Sequence, residues 1–183
     1  MKKLFVIICV MLALTCKAQE TKVFFKPVNG ITLSTITNSK AKYQFGYTGG
    51  AEFEFKVQDR VSLSLGALYS MVGCRDANKT KINCSLEYLN FPILGNLYIF
   101  DGLAVKVGLQ PGVKLRAYAK SGDEALSMTD LSTLAVAVPA GLSYEFNNFV
   151  LDARYNWYVN RVGEEIKAHN SVFQLTLGYK FEL

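Results

Sequence analysis

Apolar and polar residues alternate one by one through the end of the chain. Phe173, Leu175, Leu177, Tyr179, Phe181 and Leu183 fall on one side, and Gln174, Thr176, Gly178, Lys180 and Glu182 on the other. A period of two is the signature of a strand with one greasy and one polar face. The same alternation predicts strands over residues 45–57, 61–70, 103–116, 134–146 and 149–159. Two further segments are less regular. Residues 85–100 contain Pro92, which cannot donate to a ladder and predicts a bulge or break there, and residues 23–35 read as interrupted by Pro27 and Gly30. The total is eight strands.

The connectors alternate in length as well. Gln58-Asp59-Arg60, Asp101-Gly102 and Asn147-Asn148 are tight hairpin turns, whereas residues 36–44, 75–83, 120–133 and 160–170 are long and polar. Short turns at one end and long loops at the other are the pattern of an outer-membrane barrel. The expected fold is an all-β, eight-stranded, antiparallel up-and-down transmembrane β-barrel.

The longest apolar run lies elsewhere. Lys2 and Lys3 precede the apolar residues 4–14, and Cys16-Lys17-Ala18 follows. This reads as a secretory signal peptide over residues 1–18, cut before Gln19, with the barrel domain over residues 19–183. The run is too short for a spanning helix; acylation on Cys16 is the alternative, and Thr15 is bulkier than such a site prefers. Loss of Lys2, Lys3 and Lys17 lowers the formal net charge from +5 to +2, so the basic balance does not point to nucleic acid. Of four cysteines, Cys74 and Cys84 remain, flanking one polar loop in an oxidising compartment. They are a candidate disulfide.

Alternation alone does not say which face is out, and a soluble lipocalin-like binding barrel alternates too. Strand length and charge favour the membrane. The polar faces carry Glu52, Glu54, Lys56, Lys106, Lys114, Arg116, Glu145, Asp152, Arg154, Lys180 and Glu182. A charge facing lipid at mid-bilayer costs about 2–4 kcal/mol, so these residues are expected inside. Both signs occur in similar number, which predicts a lumen filled by a mutually neutralising network and no open pore. Phe55, Phe146, Phe149, Tyr144 and Phe181 near the turns, and Tyr47, Tyr69, Trp157 and Phe173 toward the loops, suit two interfacial belts.

The stretches 88–94 (YLNFPIL), 108–112 (GLQPG), 152–155 (DARY) and 173–181 (FQLTLGYKF) carry a family likeness. The chain resembles the PorT-like outer-membrane β-barrel family of Bacteroides-type Gram-negative bacteria. The resemblance implies an outer-membrane barrel. Its name-giving branch serves protein secretion, a role that does not pass to every member. The ending also looks like the signal read by the barrel-assembly machinery, with Thr176, Gly178, Phe181 and a final Leu183 where an aromatic often stands.

Candidate chemistry is sparse. His169 is the only histidine, which excludes a histidine-cluster metal site. A lipid-modifying loop site would need His169 with Asp130 or Ser127, and a solvated loop histidine is the plainer reading. The spacing of Cys74 and Cys84 does not suit a zinc knuckle. The expectation is a non-enzymatic protein without cofactor. Its partners are outer-membrane lipid, the assembly machinery during insertion, and an unidentified envelope protein; a secretion or envelope-assembly component is the alternative role.

Overall fold

The computed structural model describes residues 22–36, 44–75, 82–121, 124–127, 134–159 and 170–183. The expected signal peptide, His169, Asp130 and most of the long loops lie outside these residues. The chain forms β1 (Val23–Ile36), β2 (Gln44–Gln58), β3 (Val61–Arg75), β4 (Ile82–Asn90), β5 (Ile93–Phe100), β6 (Leu103–Ser121), β7 (Glu124–Ser127), β8 (Leu134–Phe146), β9 (Phe149–Tyr158), β10 (Asn170–Tyr179) and β11 (Phe181–Glu182). All pairings are antiparallel, and β1 pairs with β2 on one side and with β10 and β11 on the other, which closes the sheet.

Eleven segments make eight staves. β4 and β5 continue one register: Leu68 faces Asn90 and Leu65 faces Ile93 across β3. Pro92 therefore removes a ladder bond without inserting a residue. The neighbouring groups still pair, Gly66 N donating to Pro92 O at 3.0 Å and Phe91 N to Pro111 O at 2.8 Å. β10 and β11 likewise form one stave. The expected interruption of the first strand is corrected: β1 runs unbroken, with Phe25 opposite Phe181 and Val28 opposite Gly178. Pro27 lacks the donor that would meet the facing stave, so the irregularity falls there, between β10 and β11. A second correction concerns residues 120–133, read as loop. β6 extends to Ser121, and β7 pairs along its end with Tyr118 opposite Ser127.

The tight turns lie where expected. Gly102 adopts φ 81°, open to glycine at little cost, and a Cβ there would stand 2.4 Å from Glu145 O. Glu145 N donates to Gly102 O at 2.7 Å, tying this turn to the end of β8. Asn147, also at positive φ (54°), serves the β8–β9 turn.

The outer wall is apolar. Phe45, Phe53, Leu97, Val107, Leu109, Leu142, Leu151, Trp157 and Leu177 are all exposed there. Near the turns Phe25, Phe53, Phe181, Tyr179 and Phe149 touch ring to ring, with centroids 4.7–6.4 Å apart. Toward the loops Phe45, Tyr47, Tyr155, Trp157 and Phe173 stand on the outer face. No helix of the described residues is long and apolar enough to cross a membrane; this chain crosses with strands.

Candidate functional site

The lumen is the most organised polar region of the molecule, and it is layered. Closest to the short turns, Lys180 Nζ bridges Glu145 and Glu54, the latter at 3.1 Å. Tyr98 Oη stands between the same two carboxylates, 2.6 Å from Glu54 Oε1. Ser62 Oγ donates to Glu54 at 2.6 Å, and Asn96 Nδ2 donates to Ser62 and Ser64, each at 2.8 Å. β2, β3, β5, β8 and the β10–β11 stave each supply a residue to this layer.

The second layer is drier. Arg154 bridges Glu52 at 2.7 Å and Asp152 at 2.6 Å, Lys26 pairs with Glu52 at 2.8 Å, and Lys106 pairs with Asp152 at 2.6 Å. Lys26 and Glu52 are fully buried, and Arg154 is 1% exposed. A charge so buried is tolerable only when paired. The two layers together hold four cations (Lys26, Lys106, Arg154, Lys180) and four carboxylates (Glu52, Glu54, Glu145, Asp152). Glycine makes room for this filling. A Cβ at Gly66 would stand 2.7 Å from Glu52 Cγ and 3.2 Å from the inward ring of Pro92.

Above these pairs the polarity falls. A middle layer of Asn90, Gln110, Asn156, Gln174 and Thr176 is buried, with Asn156 donating to Gln174 at 3.3 Å. Nearest the loops, Val72, Leu86, Tyr88, Ala135, Ala137, Tyr158 and Val172 pack into an apolar cluster inside the barrel. The rings of Tyr88 and Tyr158 lie 6.1 Å apart.

Of the eleven charges expected in the lumen, seven meet in this network: Glu52, Glu54, Lys106, Glu145, Asp152, Arg154 and Lys180; Glu182 does not, being exposed at the turn end and paired with Lys22. Lys56 sits half-buried at the turn-end mouth, its Nζ 5.5 Å from the centroid of the Tyr98 ring. Lys114 is half-buried on the inward row, opposite buried Tyr88 and above the ion pairs. Arg116 is a correction. The β4–β6 register shifts between Glu87 and Tyr88, leaving Leu115 as an extra residue, so Arg116 lies opposite Glu87 on the outer wall. A bulge reverses the parity of every residue beyond it.

Lys26 and Tyr98 were missed. Lys26 shares the inward row of Val28 and Thr32, a pattern obscured in sequence by Pro27. Tyr98 follows the parity of Leu94 and Asn96. Thr176 and Gly178 lie on the inward row, whereas Phe181 and Leu183 are exposed. Cys74 and Cys84 are opposite one another in the β3–β4 register. Among the described residues no group of three or more histidine, cysteine, aspartate or glutamate residues could hold a metal ion.

A closed antiparallel barrel, apolar outside and ion-paired within, is the architecture of a bacterial outer-membrane protein. The family model for the outer membrane protein beta-barrel domain matches residues 22–162. The chain belongs to that family. Its place is the outer membrane, which sets aside the soluble lipocalin-like alternative. Among solved structures it is similar to Ail, the attachment invasion locus protein of Yersinia pestis, at 15% identity and a TM-score of 0.57, covering 89% of this chain and 100% of that one. It is also similar to Neisserial surface protein A at 13% identity and a TM-score of 0.58, covering 87% and 97%. At such identities the likeness concerns the fold alone. No curated protein matches the chain.

Proposed function

We infer that this outer-membrane protein is a closed, non-conducting and non-enzymatic barrel whose role is structural or interactive, exercised through its long loops. The observation that carries this reading is the filled lumen. Two ion-paired layers and an apolar cluster lie in series along the axis, and an eight-stranded barrel has little interior beyond its side chains. The test is conductance of the purified barrel in a planar bilayer. No stable channel is expected, and a steady ohmic pore in the wild-type protein overturns the reading.

A second reading, a PorT-like component of secretion or envelope assembly, rests on the stretches 88–94 and 173–181. Cross-linking in intact cells that captures a secretion component would favour it. Removal of residues 1–18 on export, and use of Thr176, Gly178, Phe181 and Leu183 as the assembly signal, belong to the same picture of an exported barrel. So does a disulfide between Cys74 and Cys84. Directly paired positions on neighbouring antiparallel strands have Cα atoms about 4.5–5.5 Å apart, inside the range a disulfide spans. Alkylation of the denatured, unreduced protein isolated from membranes should label neither cysteine.

A further inference from the structure

The outer wall carries one polar irregularity. Between the two aromatic belts, the outward rows of the described residues are apolar or aromatic, with the exception of Asn29. Asn29 is exposed and stands midway along β1. It lies four residues from Phe25, which joins the ring cluster near the turns, and four from Leu33, which faces Phe45 of the loop-side belt. Each interval is about 13 Å along the strand. The Asn29 side chain hydrogen-bonds to none of the described residues. An amide that faces hydrocarbon without a partner is costly.

A second polar group reaches the same spot. Gly49 faces Asn29 across the β1–β2 ladder. A Cβ at Gly49 would stand 2.6 Å from the Tyr47 hydroxyl, so the Tyr47 ring leans along β2 toward the middle of the wall instead of toward the loops. Around this pair the wall is low: Pro27, Ala51 and Ala67 form one row across β1, β2 and β3. On the other side of Asn29, a groove of about 310 Å³ opens at the β1–β10 seam, walled by Pro27, Leu177, Tyr179 and Phe149. Whatever covers this spot must bring hydrogen-bonding groups to mid-bilayer depth. Acyl chains carry none there. A second copy of the chain does, because barrels inserted in the same direction hold their Asn29 residues at one depth. An amide is both donor and acceptor, so two of them pair about a two-fold axis along the membrane normal.

We propose that the outer face of β1 and β2 is a self-association surface, on which Asn29 and Tyr47 of one copy meet the same residues of a second copy. It uses neither the loops nor the lumen. Within a membrane, apolar burial does not drive association, because lipid tails are as apolar as the wall they leave. Close packing and hydrogen bonds across the contact drive it instead. The low row beside Asn29 lets the two walls approach, and the groove at the seam takes up projecting side chains.

The test is photo-cross-linking of the full protein in intact membranes. The photoreactive residue p-benzoylphenylalanine replaces Leu177, which faces Asn29 on β10, or Leu109, which is exposed on the opposite side of the barrel on β6. Irradiation at Leu177 should give a product of twice the monomer mass, made of this chain alone, and irradiation at Leu109 should not. Asn29→Leu in the Leu177 background should lower the yield of that product by about threefold or more, the factor expected for one interchain hydrogen bond in a membrane. If Asn29→Leu loses heat-modifiable gel mobility and so does not fold, Tyr47→Phe, which removes only the hydroxyl, should lower the yield in the same direction. Equal yields from Leu177 and Leu109 overturn the surface, as does a folded Asn29→Leu protein with its yield unchanged. A Leu177 product that contains only lipid, or a different protein, overturns the assignment to a second copy.

Discussion

The two halves of the lumen solve one problem in opposite ways. Near the turns, the inward residues are charged and buried, held by the pairs of Arg154 with Glu52 and Asp152 and of Lys180 with Glu54 and Glu145. Near the loops, the inward residues Val72, Leu86, Tyr88, Tyr158 and Val172 pack together, among small buried hydroxyls such as Ser34, Thr48 and Ser70 and the half-buried Lys114. Both halves fill the lumen with side chains. The difference is in what each tolerates. An ion-paired layer depends on every partner, because the Coulombic attraction only offsets a large desolvation cost. An apolar layer loses stability in proportion to the atoms removed. Polar alternation on a strand reports that a face is turned inward, and says little about which of these fillings it meets.

Three substitutions sharpen this contrast. Arg154→Leu should be the most damaging, at about 3–5 kcal/mol, since it leaves Glu52 and Asp152 buried with too little compensation. Urea titration of the refolded barrel, followed by Trp157 fluorescence and gel mobility, measures it; a loss below about 1 kcal/mol would mean that the layer is well hydrated. In the apolar half, Val72→Ala removes two methyl-sized groups from a site 2% exposed and should cost about 2 kcal/mol in the same titration. A value matching Arg154→Leu would erase the distinction between the halves. The smallest effect belongs to Lys22→Ala. Its pair with Glu182 spans 2.8 Å but both side chains are more than half exposed, so the change should stay under about 1 kcal/mol and vanish at high salt.

Much of the site was legible before any coordinates. Glu52, Glu54, Lys106, Glu145, Asp152, Arg154 and Lys180 each stand on a strand whose opposite face is apolar, and that parity survives in the barrel. Arg116 was misplaced for a definite reason. Leu115 inserts into the β4–β6 ladder, and nothing in the alternation of β6 alone marks the insertion. Lys26 was passed over because Pro27 suggested a broken strand, whereas a closed barrel needs only one absent bond at that point. The loop-end apolar cluster could not be read at all. Val72 and Val172 lie near strand ends, and Leu86 lies in a segment whose alternation is mixed, so single apolar residues there do not report a core.

The sequence by itself determined the strand count, the order of tight turns and long connectors, the apolar outer wall and most of the inward charges. These are local properties: a period of two and the chemistry of turns act within a few residues. The tertiary structure alone decided which charges meet, where the register slips, and that the lumen changes from ion pairs to an apolar cluster along its length. Those outcomes depend on the closure of β1 against β10 and on the stagger between staves, which bring together residues such as Lys26, Glu52 and Arg154 that no local pattern connects.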